Sequence, residues 1–172
     1  LHNAGFWFVD RLAERERVAL RAEAKFHGQT ARLDLPGTPC WLLEPTTFMN
    51  RSGQAVSALA RFYRLEPAEI LVVHDEVDLP PGTARLKDGG GHGGHNGLRD
   101  IVSALGSRDF RRLRLGIGHP GDKNKVLDYV LGRPGRDAAA AIDDALERAL
   151  SVLPELLAGN WQKAVHRLHS PG

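Results

Sequence analysis

The chain has 172 residues, 42% of them hydrophobic, and a formal net charge of +2 at pH 7. That length supports one domain with a core of its own. So small a net charge excludes nucleic-acid binding through overall charge, and basic residues would have to gather on one face to bind phosphates. A single cysteine, Cys40, excludes an internal disulfide and indicates a reducing compartment. No apolar run in the sequence is long enough to span a bilayer.

Hydrophobic periodicity predicts strands that alternate with helices along the chain. The first half predicts a helix over 4–15, a strand at 31–35, a turn at Pro36-Gly37, a more buried strand at 40–43, a helix around 56–63, a central strand at 70–73 and an edge strand at 84–87. The second half predicts a helix around 98–105, a strand at 112–117, a long helix from an N-cap at Asp137 to Leu153, and a shorter helix at 161–168. This alternation is typical of a single layered α/β domain.

The segment KDGGGHGGHNGLRD, residues 87–100, leaves three interpretations open. A dinucleotide loop matches the pattern Gly89-x-Gly91-x-x-Gly94, but the strand before it alternates and carries charges, which is the wrong context. A metal site would use His92 and His95, but no cysteine or close glutamate completes the ligand set. The third interpretation is a loop whose glycines, having no Cβ, let an extended substrate come close to the backbone.

Polar side chains at the ends of predicted elements suggest either binding or capping. Asp75 follows the predicted strand 70–73, where it could fix the tautomer of a histidine or simply begin a turn. Asn96 and Asn50 each precede a predicted helix, where an amide binds a polar substrate or caps the helix. The sequence has no Gly-x-Ser-x-Gly nucleophile motif and Cys40 suits core packing, so a hydrolase would use water activated by a histidine.

Five sequence blocks occur together in the chain: HNAG at 2–5, PTTFMNRSG at 45–53, HDEVDLP at 74–80, GGGHGGHNG at 89–97 and LRLGIGHP at 113–120. In this order and spacing they closely resemble the bacterial peptidyl-tRNA hydrolase family. The resemblance implies a single α/β domain over 1–172, with a twisted mixed β-sheet surrounded by helices. It implies hydrolysis of the ester between a peptide and the 3′-terminal ribose of tRNA, which recycles the tRNA. It also implies a cytoplasmic monomer that needs no metal, cofactor, membrane or obligate protein partner.

The resemblance assigns roles to eight residues of this chain. His2 would be the general base that activates water, and Asp75 would orient the His2 imidazole. Six residues would bind the peptide or the acceptor end of the tRNA: Phe48, Met49, Asn50, Lys87, His95 and Asn96. The candidates for phosphate contacts are Lys87, Arg112, Arg114, Lys123 and Lys125.

The start of the sequence departs from the family pattern. Members begin with a strand and a Gly-x-Gly-Asn-Pro-Gly loop before the His-Asn-Ala-Gly block, and we expect that segment to be missing here.

Two other classes of protein remain open at this stage. A non-catalytic RNA-binding module would have no use for His2 and Asp75, and a dinucleotide-dependent enzyme would need a cofactor at residues 89–94.

Overall fold

The computed structural model describes residues 3–35, 38–48, 51–118 and 136–170. The predicted alternation of helices and strands in an α/β fold is confirmed. Packing divides the chain into two compact units. The first unit consists of Leu1–Phe8, Val72–Lys87 and Arg112–Gly172, and the second consists of Val9–Leu71 and Asp88–Arg111.

The bounds of the main elements lie close to the predicted ones. The helices are α1 (Ala4–Arg15), α2 (Ser52–Tyr63), α3 (Asn96–Leu105), α4 (Arg136–Leu157) and α5 (Trp161–His169). The strands are β1 (Arg21–Glu23), β2 (Gly28–Leu35), β3 (Thr38–Pro45), β4 (Leu71–Glu76), β5 (Ala84–Asp88) and β6 (Arg111–Gly116). Among the described residues these strands form two three-stranded sheets, in the orders β1-β2-β3 and β4-β6-β5. The predicted turn at Pro36-Gly37 lies outside the described residues.

The sheet of the second unit is antiparallel, and β2 pairs with β3 from Gly28↔Pro45 to Leu35↔Thr38. Along β3, Leu42 and Glu44 are buried, whereas Cys40 is half-buried. The predicted strand at 40–43 forms within β3, and residues 40–43 are all buried or half-buried, whereas β2 exposes Arg32 and Asp34.

Glu44 is the most unusual buried group of this sheet, since only 6% of it is exposed. Burial, followed by a hydrogen bond with the Asp10 side chain and the negative charge of Asp10, raises the pKa of Glu44 to about 8. Two carboxyl groups this close favour a shared proton over two charges. The folded protein therefore favours the protonated form of Glu44 at neutral pH.

The sheet of the first unit has β6, not β4, in its middle position among the described strands. The prediction of a central strand at 70–73 is therefore wrong. Both faces of β6 are covered, since Leu113 is 1% exposed on one face and Arg112 is 1% exposed on the other. An uninterrupted apolar run does not reveal which strands will pair beside it. The prediction that 84–87 forms an edge strand is confirmed, because β5 lies at the end of the sheet order.

Helices α4 and α5 complete the first unit. The prediction that Asp137 caps α4 is wrong, because Arg136 is already helical and Asp137 lies in the first turn. At the end of α5 the His169 ring accepts a hydrogen bond at Nε2 from the Leu86 N–H of β5, at 2.9 Å. This bond attaches the last helix to the edge strand.

Candidate active site

In the first unit, the carboxylate of Asp75 lies at the start of α1. Its Oδ1 accepts a hydrogen bond from the Ala4 N–H at 2.6 Å, and Asn3 Oδ1 accepts one from the Phe6 N–H at 3.0 Å. The first N–H groups of a helix have no partners within the helix, so these two side chains cap α1. Asp75 therefore contacts the backbone two residues after His2, while His2 itself lies outside the described residues.

Close backbone packing fixes the start of α1 against β4. A Cβ built on Gly5 would lie 2.2 Å from the Val73 carbonyl oxygen, so only glycine permits this approach. The neighbours of Asp75 on the strand point to the opposite face, because side chains alternate along β4. There the buried His74 donates through Nδ1 to the Asp75 carbonyl oxygen at 2.8 Å, and Glu76 pairs with Arg114 at 3.7 Å.

In the second unit, the glycine-rich loop leads into α3 through a histidine cap. His95 is the N-cap residue, and its Nδ1 accepts a hydrogen bond from the Leu98 N–H at 3.1 Å. The interpretation of Asn96 as the helix cap is therefore wrong: Asn96 is the first helical residue and is exposed. An imidazole that accepts at Nδ1 carries its proton on Nε2, which leaves an N–H donor on the other side of the ring.

The pKa of His95 is lowered, mainly because the ring is buried and further because of the charge of His92. A backbone hydrogen bond has the opposite effect and raises the pKa, but it does not outweigh these two causes. The neutral ring suits its role as a hydrogen-bond acceptor at the helix start. His92 folds back on the loop, where its Nδ1 accepts from the Gly94 N–H at 3.0 Å.

Four glycines of the loop, Gly89, Gly90, Gly93 and Gly94, have positive φ values, a backbone conformation that favours glycine. Gly93 and Gly94 have φ values of 57° and 80°. A Cβ built on either of them, or on Gly91, would meet no described atom within 4 Å. At Gly93 and Gly94, glycine permits the left-handed backbone conformation. No described segment packs closely against Gly91, Gly93 or Gly94, so this part of the loop faces open space.

The segment before α2, also in the second unit, exposes an aromatic ring. Phe48 is 81% exposed. Two hydrogen bonds connect the residues that flank Met49 and Asn50. The Arg51 N–H donates to the Phe48 carbonyl oxygen at 2.8 Å, and the Thr47 hydroxyl donates to the Arg51 carbonyl oxygen at 3.2 Å. Met49 and Asn50 themselves lie outside the described residues.

One contact at the start of α2 had no signal in the sequence. The Gly53 N–H donates to Oδ2 of Asp100, a residue of α3, at 2.7 Å. Asp100 lies 47 residues further along the chain, so periodicity and capping rules cannot connect the two. Only the packing of α3 against α2 brings them together.

The basic candidates differ in exposure. Lys87 is exposed on β5. Arg112 is 1% exposed, and burial followed by the charge of Arg114 lowers its pKa, so the prediction that Arg112 contacts a phosphate is wrong. Arg114 is 27% exposed and pairs with Glu76. Lys123 and Lys125 lie outside the described residues.

A sequence model of the family described as "Peptidyl-tRNA hydrolase" matches residues 1–172. The chain belongs to the peptidyl-tRNA hydrolase family. The peptidyl-tRNA hydrolase of Neisseria meningitidis serogroup B is 56% identical over 169 residues, which cover 98% of this chain and 88% of the relative. That of Chromohalobacter salexigens is 58% identical over 170 residues, with the same coverage. The crystal structure of the Acinetobacter baumannii peptidyl-tRNA hydrolase matches with a TM-score of 0.95 and 47% identity, over 98% of this chain and 86% of that one.

Membership of the peptidyl-tRNA hydrolase family confirms the resemblance and makes the chain an enzyme, a hydrolase. It favours the hydrolytic interpretation over a non-catalytic RNA-binding module and over a dinucleotide-dependent enzyme. Within the described ranges, no three His, Cys, Asp or Glu side chains cluster as metal ligands would. No helix in the described part of the chain is both long enough and apolar enough to cross a membrane.

Proposed function

We propose that this enzyme hydrolyses the ester that joins a peptide, or an N-blocked amino acid, to the 3′-terminal ribose of tRNA, and so recycles tRNA from prematurely released peptidyl-tRNA. His2 is the base that activates water, and Asp75 orients it. The observation that carries this proposal is the 2.6 Å hydrogen bond between Asp75 and the Ala4 N–H. It attaches the carboxylate to the chain two residues after the histidine, where an Asp–His pair can form.

The reaction requires two proton transfers, one to the His2 imidazole and one from it. The His2 imidazole takes a proton from water while the water oxygen bonds to the ester carbonyl carbon, and the carbonyl oxygen becomes an oxyanion. The bond between that carbon and the ribose 3′-oxygen then breaks, and the imidazolium returns the proton to the leaving oxygen. Asp75 fixes the tautomer of His2 and stabilises the imidazolium, with water in the place of a serine nucleophile. A positioned base of this kind contributes about 10² to 10⁴ in rate.

The second unit supplies the proposed substrate contacts. Asn50 and Asn96 bind the substrate, because an amide both donates to a carbonyl oxygen and accepts from a peptide N–H. The exposure of Asn96 and the open backbone of the glycine loop support this role. His95 is a further proposed substrate contact at the start of α3, and Phe48 with Met49 gives an apolar surface on which a base or ribose stacks.

Among the basic candidates within the described residues, exposure on the edge strand favours Lys87 as a phosphate contact. Lys87→Ala therefore raises KM and lowers the salt dependence of tRNA binding by about one counterion.

We further propose that the enzyme acts as a cytoplasmic monomer without metal, cofactor or obligate partner. The single cysteine and a translation substrate support this proposal. Light scattering at assay concentration tests the oligomeric state.

A turnover assay tests the reaction. N-blocked aminoacyl-tRNA is incubated with the enzyme in the presence of a chelator, and release of the blocked amino acid is followed. We expect chelator-resistant release, loss of release in His2→Ala, and tRNA affinity close to that of the unmodified enzyme in the same variant. Equal loss of cleavage and affinity in His2→Ala would contradict the assigned role of the base.

A further inference from the structure

The start of helix α2 donates a hydrogen bond to another helix, α3. Its N-cap residue, Arg51, makes no side-chain hydrogen bond to the first turn. The N–H groups of a first turn need acceptors from outside the helix. Oδ2 of Asp100 supplies one of them at 2.7 Å from the Gly53 nitrogen, in a half-buried contact. A carboxylate is well suited to this position, because the start of a helix carries a partial positive charge.

Steric packing at Gly53 also fixes the distance between helices α2 and α3. A Cβ built on Gly53 would lie 2.4 Å from the Asp100 carbonyl oxygen and 2.7 Å from the Ala104 Cβ. Gly53 is buried, so the backbone of α2 rests directly on α3 at this point. The start of α2 therefore has both a polar and a steric constraint from α3.

From this geometry we infer that Asp100 is a positioning residue for substrate binding. The inference rests on the proposed function. Asn50 comes three residues before Gly53, and Asn96 comes four residues before Asp100, about one helical turn. The Asp100–Gly53 bond thus joins the two segments that carry the proposed substrate amides. Asp100 acts through these segments and does not itself contact the reacting atoms.

The test compares Asp100→Ala with Asp100→Asn in the turnover assay with N-blocked aminoacyl-tRNA. The alanine variant loses the acceptor, and we expect KM to rise about 10-fold or more with a smaller change in kcat, because misplaced binding groups lose much of their effect. Asparagine keeps one oxygen for the Gly53 N–H, so we expect the KM of Asp100→Asn to stay close to that of the unmodified enzyme. The pH profile of kcat should stay unchanged, since Asp75, the proposed partner of the base, belongs to the other unit. Asp144→Ala, which removes an exposed aspartate from α4, is the matched control.

Combined substitutions separate positioning from a general loss of stability. In an Asn50→Ala, Asn96→Ala background, both amides through which Asp100 acts are already gone, so Asp100→Ala should raise KM less than about twofold further. If instead the effects multiply, Asp100 does not act through these amides and the inference is wrong. Should the alanine variant be unfolded, Asp100→Leu takes its place, because leucine has a side chain of similar shape but no oxygen to accept from the Gly53 N–H.

The outcomes for the unmodified enzyme and for the variants are distinguishable. No turnover by the unmodified enzyme would overturn the proposed function and this inference with it. An active enzyme whose KM is unaltered in Asp100→Ala, or in Asp100→Leu if that variant is the one that folds, would overturn this inference alone.

Discussion

The carboxylate of Asp75 and the backbone N–H of Ala4 form a 2.6 Å hydrogen bond between residues that are 71 positions apart in the chain. The bond attaches the end of β4 to the first residue of α1. Asp75 therefore has a structural role as a helix cap beside its proposed role as the partner of His2. Substitutions that preserve one role and remove the other can separate the two.

Asp75→Asn is the substitution that separates them. The amide oxygen can still accept from the Ala4 N–H, but the residue no longer has the charge that stabilises the His2 imidazolium. We expect kcat to fall by about 10² to 10⁴ while the melting temperature stays nearly unchanged. Asp144→Asn, at an exposed position of α4, is the control and should leave both quantities as they are. A large loss of stability with kcat unaltered would show that Asp75 is only a cap.

Gly5→Ala tests the packing of α1 against β4. The added methyl would lie 2.2 Å from the Val73 carbonyl oxygen, and one backbone would have to move. Overpacking of this kind costs about 1–3 kcal/mol in the free energy of unfolding. Gly91→Ala is the matched control, since its Cβ would meet no described atom within 4 Å. Urea unfolding of the two variants measures the difference, and equal stability would contradict the close approach.

Glu44→Gln tests the buried carboxyl pair through the pH dependence of stability. Burial and Asp10 raise the pKa of Glu44 from 4.5 to about 8, so between these values the folded enzyme holds a proton that the unfolded chain releases. Stability must therefore fall as pH rises through this window. Glutamine carries no proton to release, so the variant should gain stability relative to the parent as pH increases.

Urea unfolding at several pH values between about 5 and 8 measures this gain. Glu23→Gln, at an exposed position of β1, is the control and should show no such trend. A constant difference between Glu44→Gln and the parent across the pH range would contradict the raised pKa of Glu44.

His169→Ala tests the attachment of α5 to β5. The pKa of His169 is lowered by burial first and then by the charges of Arg85 and Arg114, so the folded state prefers the neutral ring that accepts from the Leu86 N–H. The contribution of this ring to stability is complete above about pH 6.5. It is lost as pH falls from there through the folded pKa, because the unfolded chain then binds the proton.

The alanine variant should therefore be less stable than the parent near neutral pH, by about 1 kcal/mol, and the difference should shrink in acid. His166→Ala removes an exposed histidine from the same helix and should show no such convergence. Thermal unfolding at matched pH values measures both variants. A difference that grows in acid would show that the ring binds its proton in the folded state.

The sequence predicts the parts of this fold that depend on neighbouring residues. The helical spacing of apolar residues predicts a helix at 4–15, and α1 forms at Ala4–Arg15. The helix cap at α3 shows where local rules stop. Asn96 is the better capping residue by type, yet His95 takes the position because its ring is one residue earlier and is held by burial.

Contacts between distant segments could not be predicted in this way. Nothing in the sequence around Asp100 indicates that it accepts from the Gly53 N–H, and nothing around Arg112 indicates that its side chain is buried. For the site residues, the family resemblance supplies the roles, and periodicity supplies only their placement near the ends of elements. The catalytic roles of His2 and Asp75 remain predictions that the experiments above decide.

The two helix starts bound by carboxylates give the enzyme native reporters of its local order. The amide protons of Ala4 and Gly53 are each held by a side chain from another element, at 2.6 and 2.7 Å. Such protons exchange with solvent only when that tertiary contact opens. Hydrogen exchange at these two amides therefore follows separately the opening of the two segments, with no label added to the protein.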